Sequence, residues 1–351
     1  MTDQINWLGA ESQMASWTGR VDPEANSQRW HQLIQPISLG AASNSPNDNS
    51  HDNPHDNPPG IALLGFASDA GVRRNQGRTG AAEGPLALRR ALASLPVHHD
   101  APLYECGTVV CLDDALEAAQ QQLAETVSKL LDQGHLPVVL GGGHEIAFGS
   151  WSGLALHLAR QPMAHAPRVG IINFDAHFDL RDHNSQRPSS GTPFSQIAQR
   201  CHDQNWPFIY ACLGVSRMSN TPALFQRAKS LRVMVREDLQ MTQNDLPDLR
   251  QALHDFISSC DLIYLTIDMD VFPAATAPGV SAPAARGVSL EVIEPLLIMI
   301  RNSGKLRLVD LAELNPAYDT DSHTARLGAR LIHQITQGYS LKGLQHHSNA
   351  T

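Results

Sequence analysis

The chain has 351 residues, of which 42% are hydrophobic, and a formal net charge of −9 at pH 7. This length allows two domains, although α/β domains of this size are often single, and the composition allows a sizeable buried core. The negative charge argues against nucleic acid or an anionic membrane as a partner, and no run approaches the roughly 18 apolar residues of a membrane span.

Cysteine usage and the start of the chain indicate the cellular compartment. Five cysteines are present, an odd number without the paired spacing of a zinc site. Residues 1–4 have neither the basic start nor the apolar run of a secretory signal. Both observations favour reduced thiols in a cytoplasmic protein.

The first 59 residues are interpreted as an N-terminal extension. Residues 1–40 carry three tryptophans, which we expect to pack on the main domain. Residues 41–59 are rich in Pro, Asn and Ser and contain His-Asp-Asn-Pro twice in succession. The repeated His and Asp suggest a second metal site, but so few apolar side chains favour a flexible linker instead. A single catalytic domain is then expected over residues 60–351.

From residue 60 onward, strand and helix patterns alternate, which is typical of a parallel sheet covered by helices on both faces. The hydrophobic pattern predicts strands at residues 61–66, 136–140, 169–174, 207–213, 231–235, 262–267 and 306–311. It predicts helices at residues 84–95, 113–132, 243–258, 289–302 and 323–337. The fold class is therefore α/β.

Three segments far apart in the chain place acidic and histidine side chains directly after an apolar run. They are Gly142-Gly143-His144-Glu145, Asp175-Ala176-His177-Phe178-Asp179 and Asp268-Met269-Asp270. The apolar runs read as buried parallel strands, and ligands of open α/β sheets bind at the carboxyl ends of such strands. Within the second segment the polar residues alternate, so that they can face the same way. Four aspartates and two histidines are therefore expected to converge on one edge of the sheet.

Four carboxylates packed together repel one another unless a strong positive charge lies among them. Two divalent cations about 3.5–4 Å apart meet this need, and a set of oxygen and imidazole ligands without thiolate suits Mn²⁺ better than structural zinc. Taken alone, His144 could be a core histidine, and Asp268 and Asp270 could cap the next element. Together, the three segments favour a binuclear metallohydrolase.

These segments resemble the three signatures of the ureohydrolase family, which contains arginases, agmatinases and formimidoylglutamases. The resemblance extends from about residue 71 to residue 338 and implies a three-layer α/β/α sandwich around a mainly parallel sheet of about eight strands. It implies two Mn²⁺ ions per subunit, with Asp175 and Asp268 bridging them. One ion would be held by His144, Asp175, Asp179 and Asp268, and the other by Asp175, His177, Asp268 and Asp270. Members of the family are often trimers or hexamers, so a homo-oligomer is expected.

The expected chemistry is attack of a hydroxide, supplied at neutral pH by the two ions, on the central carbon of an amidine or a guanidine. Asp179 would both bind metal and relay the proton of the nucleophile to the departing amine. Glu313 follows the last predicted strand in a Glu-x-Asn-Pro segment. The resemblance implies that Glu313 holds the amidine end of the substrate through charge-assisted hydrogen bonds. The alternative for Glu313 is a structural acid at the start of the next turn.

The loop after the second signature narrows the choice of substrate. Agmatinases typically read His-Gly-Thr-Pro-Phe there, whereas this chain has Ser190 in place of the histidine. An arginase or agmatinase is therefore less favoured. Ser190 is expected to contact the substrate instead, and His183 is a weaker candidate to replace the missing proton shuttle.

Residues 71–78, 80–85 and 213–221 are similar to segments of formimidoylglutamases. The substrate of those enzymes, N-formimidoyl-L-glutamate, carries two carboxylates, which planar guanidinium groups match with paired hydrogen bonds. Arginines near the expected mouth are therefore candidate substrate ligands, with Arg217 and Arg74 ranked first. The full set is Arg73, Arg74, Arg78, Arg181, Arg217 and Arg286.

The resemblance thus implies Mn²⁺-dependent hydrolysis of N-formimidoyl-L-glutamate to L-glutamate and formamide, a late step of histidine breakdown. The first alternative is another amidine or guanidine hydrolase, such as a guanidino-acid hydrolase, an agmatinase or an arginase. A catalytically silent metal-binding regulatory protein is a remote alternative.

Overall fold

The structure is a computed structural model that describes residues 6–37, 57–162, 165–184 and 187–338. Strands of the described chain form a ten-stranded sheet. They are β1 (Asn6–Leu8), β2 (Ile34–Pro36), β3 (Ile61–Ala67), β4 (Leu103–Val110), β5 (Leu136–Leu140), β6 (Val169–Phe174), β7 (Ile209–Val215), β8 (Met234–Glu237), β9 (Leu262–Asp268) and β10 (Leu306–Ala312).

Helices connect most of these strands. They are α1 (Ala10–Gln13), α2 (Trp30–Leu33), α3 (Ala70–Arg74), α4 (Gly84–Ala93), α5 (Leu116–Asp132), α6 (Ile146–Ala159), α7 (Pro193–Asp203), α8 (Pro222–Ser230), α9 (Leu246–Ser258), α10 (Leu290–Asn302) and α11 (His323–Thr336). Short 3-10 turns lie at Met14–Ser16, Ala81–Glu83, Asp238–Gln240, Gln243–Asp245, Met269–Val271 and Pro316–Tyr318. Within the described ranges, no helix combines the length and the apolar character that crossing a membrane requires.

Eight strands, β3 to β10, run parallel in the order β4-β3-β5-β10-β9-β6-β7-β8. Helices α4, α9, α10 and α11 pack on one face of the sheet and α5 to α8 on the other, each around its own cluster of buried apolar side chains. Because both faces are covered, the central strands are apolar on both sides. The predicted three-layer α/β/α sandwich with about eight mainly parallel strands is confirmed.

The seven predicted strands are all present, although β7 and β8 begin two and three residues later than predicted. Strand β4 was missed because Glu105 and Gly107 interrupt its apolar pattern. Glu105 is buried in the sheet, where both its oxygens accept hydrogen bonds from Arg89 at 2.8 Å. Burying a carboxylate is costly unless it is paired and hydrogen-bonded, and Arg89 supplies both.

The described part of the N-terminal extension packs against the outer edge of β4. Strand β1 pairs antiparallel with the end of β4, and β2 pairs parallel with its beginning. The buried ring of Trp17 donates a hydrogen bond to Glu105 at 2.9 Å. This cover leaves β4 without an open edge along most of its length. The boundary at residue 60 stays a prediction, and residues 41–56 of the predicted linker lie outside the described residues.

We expect Glu105→Gln to lower the free energy of unfolding by about 3–5 kcal/mol, because it leaves the buried guanidinium of Arg89 without a counter-charge. Urea denaturation measures the change. The control is Asp321→Asn, which breaks the exposed pair with Arg326 and should cost less than about 1 kcal/mol. Equal effects of the two substitutions would contradict the assigned role of Glu105.

Candidate metal centre

The sheet order brings the three acidic segments together. Strands β5, β10, β9 and β6 are neighbours in the centre of the sheet, and all four run in the same direction. Their carboxyl ends therefore meet at one edge. His144 follows β5, Glu313 follows β10, Asp268 ends β9 and Asp175 follows β6.

His144 is the centre of the first group of side chains. Its Nδ1 lies 3.1 Å from Asp175 Oδ2, 2.9 Å from Asp179 Oδ2 and 3.1 Å from Asp268 Oδ2. The other ring nitrogen, Nε2, lies 3.0 Å from the Thr266 hydroxyl. A hydrogen bond donated there leaves the Nδ1 lone pair facing the carboxylates, which is the tautomer that a metal ligand requires.

His177 forms the second group with Asp270 and Asp175. Its Nδ1 lies 3.0 Å from Asp270 Oδ2 and 3.5 Å from Asp175 Oδ1. Asp175 therefore belongs to both groups. Within each group, the potential ligand atoms all lie within 4.8 Å of one another. Among the described residues, Asp268 falls within that distance only in the first group, so its place as a second bridge stays a prediction.

Backbone amides fix the orientation of two of these aspartates. The amide of His177 donates to Asp175 Oδ1 at 2.6 Å, and the amide of Asp270 donates to Asp268 Oδ1 at 2.8 Å. In both cases the other carboxylate oxygen turns towards His144. In each aspartate one oxygen closes a local turn while the second turns to the first group, and Asp175 Oδ1 also faces His177 in the second group.

The electrostatics of the cluster favour a bound cation. Burial and the neighbouring charges of Asp270 and Asp175 raise the pKa of Asp268 well above its usual value. Burial and Asp175 raise the pKa of Asp179 to about 6. Burial disfavours protonation of His144, yet the surrounding carboxylates raise its pKa well above 6.5. Although three carboxylate oxygens lie 2.9–3.1 Å from the buried Nδ1 of His144, none of them is aligned for a hydrogen bond. Oxygen-rich donors, two imidazoles and no thiolate fit a hard divalent metal ion such as Mn²⁺.

A row of buried polar side chains lies beneath the cluster and was not predicted from the sequence. Asn173, Thr266 and Asp310 occupy the same register on β6, β9 and β10. Asn173 donates to Asp175 Oδ2 at 2.9 Å, and Thr266 contacts His144. Asn173 and Thr266 each precede an aspartate of the cluster by two residues, so strand alternation would have placed them on the same face.

Both residues predicted to be catalytic have left-handed backbone conformations. Asp179 has φ of 47° and Glu313 has φ of 67°. This region is uncommon for residues other than glycine, and such strained residues occur at active sites as well as in turns. In both residues the backbone changes direction directly at the edge of the cluster, so that the carboxylate reaches a position that a regular strand would not offer.

Glu313 lies beside the cluster with one oxygen free. Its Oε1 accepts a hydrogen bond from the amide of His144 at 2.9 Å, while Oε2 is buried without a hydrogen-bond partner. Burial, together with the neighbouring charge of Glu145, raises the pKa of Glu313 to about 8. Gly142 allows this arrangement, because a Cβ atom there would lie 2.0 Å from the carbonyl oxygen of Ser68. A cationic ligand of Glu313 would supply the missing partner.

A cavity of about 320 Å³ opens onto the cluster. Its walls include His177, Asp179, Asp268, Asp270 and Glu313 from the cluster region, and Arg78, Arg181 and Ser190 from the predicted substrate-binding set. Asn75 and Asn220 also line it and were not predicted. Asn220 belongs to the segment 213–221, where its side chain donates to the carbonyl oxygens of Ala176 and Ser216 at 2.9 Å.

Four predicted arginines do not line this cavity: Arg73, Arg74, Arg217 and Arg286. Arg217 forms a two-pronged ion pair with Glu237, and Arg73 pairs with Asp69. Arg74 is occupied by Asp114 and Glu117. His183 contacts Ser195 at 3.0 Å and is likewise absent from the cavity wall.

Comparison with known proteins identifies the family. Residues 59–337 match the model of the Arginase family. The chain belongs to the arginase family. It is 55% identical over 325 residues to a formimidoylglutamase of Aeromonas hydrophila, covering 92% of this chain and 97% of that protein. It is 48% identical over 341 residues to a formimidoylglutamase of Ralstonia nicotianae, covering 97% and 100% of the two chains.

Solved structures of the arginase family show the same fold. A formimidoylglutamase from Bacillus subtilis matches with a TM-score of 0.74 at 21% identity, over 93% of this chain and 95% of that one. A formiminoglutamase from Trypanosoma cruzi with Mn²⁺ matches with a TM-score of 0.69 at 23% identity, over 79% and 92%. The resemblance inferred from the three segments is confirmed at the level of the family.

We expect Asp175→Asn to abolish metal binding and activity in a protein that stays folded, because both groups share Asp175. Elemental analysis of the purified variant after dialysis against Mn²⁺ measures the metal. Asp203→Asn, at an exposed carboxylate outside the cluster, is the control and should bind metal normally. Full metal occupancy in the Asp175→Asn variant would contradict its place in both groups.

Proposed function

We propose that this arginase-family chain is a formimidoylglutamase, which hydrolyses N-formimidoyl-L-glutamate to L-glutamate and formamide. The observation that carries the proposal is the 55% identity to a formimidoylglutamase over 92% of this chain and 97% of that protein. The composition of the cavity is consistent with it, since its lining combines the carboxylates of the cluster with Arg78 and Arg181.

Two Mn²⁺ ions per subunit are proposed as the cofactor. His144, Asp175, Asp179 and Asp268 would hold one of them, and Asp175, His177, Asp268 and Asp270 the other. Bound divalent ions supply hydroxide at neutral pH and polarise the carbon that it attacks. Support comes from the convergence of these side chains and from the orphaned Nδ1 of His144.

Glu313 and Asp179 have separate roles in the proposed reaction. Glu313 lines the cavity and its buried Oε2 has no partner, so that a cationic formimidoyl group is proposed to pair with it through a charge-assisted hydrogen bond. Such a cation would also favour the ionised form of Glu313. Asp179, which lies against His144 and lines the same cavity, accepts the proton of the nucleophile and passes it to the leaving amine.

The glutamate part of the substrate is proposed to lie between Arg181, Ser190 and Arg78. Arg181 lines the cavity, and among the described residues its guanidinium has no hydrogen-bond or ion-pair partner. Arg78 is held by the carbonyl oxygens of Ser281 and Val280 and stacks 4.0 Å from the centre of the Tyr318 ring. A Cβ atom on Gly191 would lie 2.8 Å from Arg181 Cδ, so the absence of a side chain there makes room for Arg181.

The alternatives have less support. Ser190 occupies the position where agmatinases carry the histidine, and His183 contacts Ser195 away from the cavity. Arginase structures from Bacillus subtilis match with a TM-score of 0.66 at 23% identity, which shows the fold alone. A cytoplasmic location and a homo-oligomeric assembly stay predictions.

Steady-state turnover of the purified protein tests the proposal directly. The panel consists of N-formimidoyl-L-glutamate, arginine, agmatine and guanidinobutyrate, each assayed as purified, after chelation and after addition of Mn²⁺. We expect turnover of the first compound only, lost on chelation and restored by Mn²⁺. Preferential turnover of a guanidine compound would replace the proposed substrate, and inactivity of the metal-loaded protein on all four would favour a regulatory role.

Glu313→Gln should lower kcat/KM roughly 100-fold, a loss of about 3 kcal/mol in transition-state stabilisation. The substitution keeps the shape of the side chain but removes the charge that pairs with the formimidoyl cation. Metal content, measured in parallel, should be unchanged because Glu313 is not a member of either ligand group. A loss of less than about tenfold, which corresponds to ~1.4 kcal/mol, would indicate a structural role instead.

Arg181→Ala should mainly raise KM, because a contact with a substrate carboxylate exists in both the ground state and the transition state. The lower kcat/KM should correspond to a loss of about 2–4 kcal/mol in transition-state stabilisation. This is the scale for removing one partner of a buried charge pair. Arg250→Ala, on the exposed surface of α9, is the control and should change neither constant. An unchanged KM in the Arg181→Ala variant would place the carboxylate site elsewhere.

A further inference from the structure

Arg74 is an unusual arginine because it lies next to the cavity and yet offers nothing to a ligand. Its side chain is 7% exposed. Each of its five N–H groups is matched by an acceptor: Nε donates to Asp114 Oδ1 at 2.8 Å, Nη1 to Glu117 Oε1 at 2.6 Å and Pro188 O at 3.0 Å, and Nη2 to Asp114 O at 2.8 Å and Glu117 Oε2 at 3.1 Å. No donor is left for a substrate carboxylate.

The acceptors belong to two segments other than the one that carries Arg74. Asp114 lies two residues before α5, Glu117 lies in the first turn of α5, and Pro188 lies in the loop that leads to α7. Residues 75–78, which directly follow Arg74, form one wall of the cavity. Ser190, two residues after Pro188, lines the same cavity and defines a second wall. Arg74 therefore links the segments that carry the two walls.

The two walls meet close to Gly191. A Cβ atom on Gly191 would lie 3.1 Å from Asn75 Oδ1 and 2.8 Å from Arg181 Cδ. The backbone amide of Arg181 donates to the carbonyl oxygen of Gly191 at 2.9 Å. A shift of the loop at Pro188 would thus be transmitted through Gly191 to Arg181.

We propose that Arg74 is a positioning residue, which clamps the two walls of the cavity and thereby sets the location of Arg181 and Ser190. This inference rests on the proposed function, since it assigns those two residues to the glutamate part of the substrate. It also separates Arg74 from the substrate ligands among which the sequence placed it.

The clamp requires a guanidinium group. Its planar fork presents five donors in fixed directions, which reach a carboxylate, a second carboxylate and two carbonyl oxygens at once. A lysine at this position would keep the positive charge, but its three donors radiate from one atom and cannot span the same acceptors. Asp114 would remain partly neutralised by its second partner, Arg187. Substitution by lysine therefore removes the geometry of the clamp while it preserves the charge.

The test compares Arg74→Lys with Arg330→Lys. Arg330 forms a similar two-pronged pair with Glu294, but it lies on α11 and does not line the cavity. We expect Arg74→Lys to lower kcat/KM for N-formimidoyl-L-glutamate about 10- to 100-fold, because a displaced Arg181 loses part of its contact with the substrate carboxylate. Most of the loss should appear as a higher KM, with kcat and metal content close to those of the wild type. Arg330→Lys should change none of these quantities.

A second variant changes an acceptor of the clamp instead of its guanidinium group. Glu117→Gln should raise KM in the same way, and the double variant with Arg74→Lys should add little further, because the two residues act through the same contact. Glu117→Gln also serves as the test if Arg74→Lys does not fold. Fully additive effects, or a KM within about twofold of the wild type in both variants, would overturn the proposal.

Hydrogen exchange provides a readout that does not depend on the substrate. Loss of the clamp should increase amide exchange in residues 75–78 and 189–192 of the metal-loaded protein, whereas Arg330→Lys should leave both segments unchanged. If the wild type is inactive on N-formimidoyl-L-glutamate but exchange rises as expected, the proposed function fails and the clamp stands. Unaltered exchange in both segments overturns the clamp whatever the activity.

Discussion

Mutual repulsion among four closely packed carboxylates is the constraint on which the site depends. Asp175, Asp268 and Asp270 are buried at the carboxyl ends of the central strands and Asp179 is 11% exposed, so solvent screens their charges only weakly. The protein contributes two histidines and several backbone amides, but the raised pKa values of Asp268 and Asp179 show that these contributions do not balance the charge. The divalent cations that we propose would complete the site, and their binding would then be coupled to the protonation of the cluster.

The surrounding fold holds these groups in a repulsive arrangement. Apolar helices cover both faces of the sheet, so the four central strands are fixed on both sides and their carboxyl ends cannot separate. Beneath the ligands, Asn173 and Thr266 orient Asp175 and His144 through hydrogen bonds. Left-handed backbone at Asp179 and Glu313 is a further local cost. Packing across the whole sheet thus stabilises a conformation that the site residues alone would not adopt.

Arginine serves three different purposes in this chain, and its partners distinguish them. Arg89 is fully buried and neutralises Glu105 within the sheet. Arg74 is nearly buried and has all its donors occupied by neighbouring loops. Arg181 lines the cavity without a partner among the described residues. The same guanidinium chemistry supports the core in the first case, the shape of the cavity in the second and, we propose, recognition of the substrate in the third.

The sequence by itself determined the fold class and the three segments whose acidic and histidine side chains converge. Apolar runs followed by Asp and His at alternating positions are local patterns, and parallel strands require their carboxyl ends to lie on the same edge. The sequence did not determine the strand order, which places β10 and β9 between β5 and β6. Nor did it separate the roles of Arg74, Arg181 and Arg217, because a charged residue in a loop has the same local signature whether its partner is a substrate or another loop. The role of each arginine depends on which distant residues it pairs with, and only the tertiary structure shows those pairs.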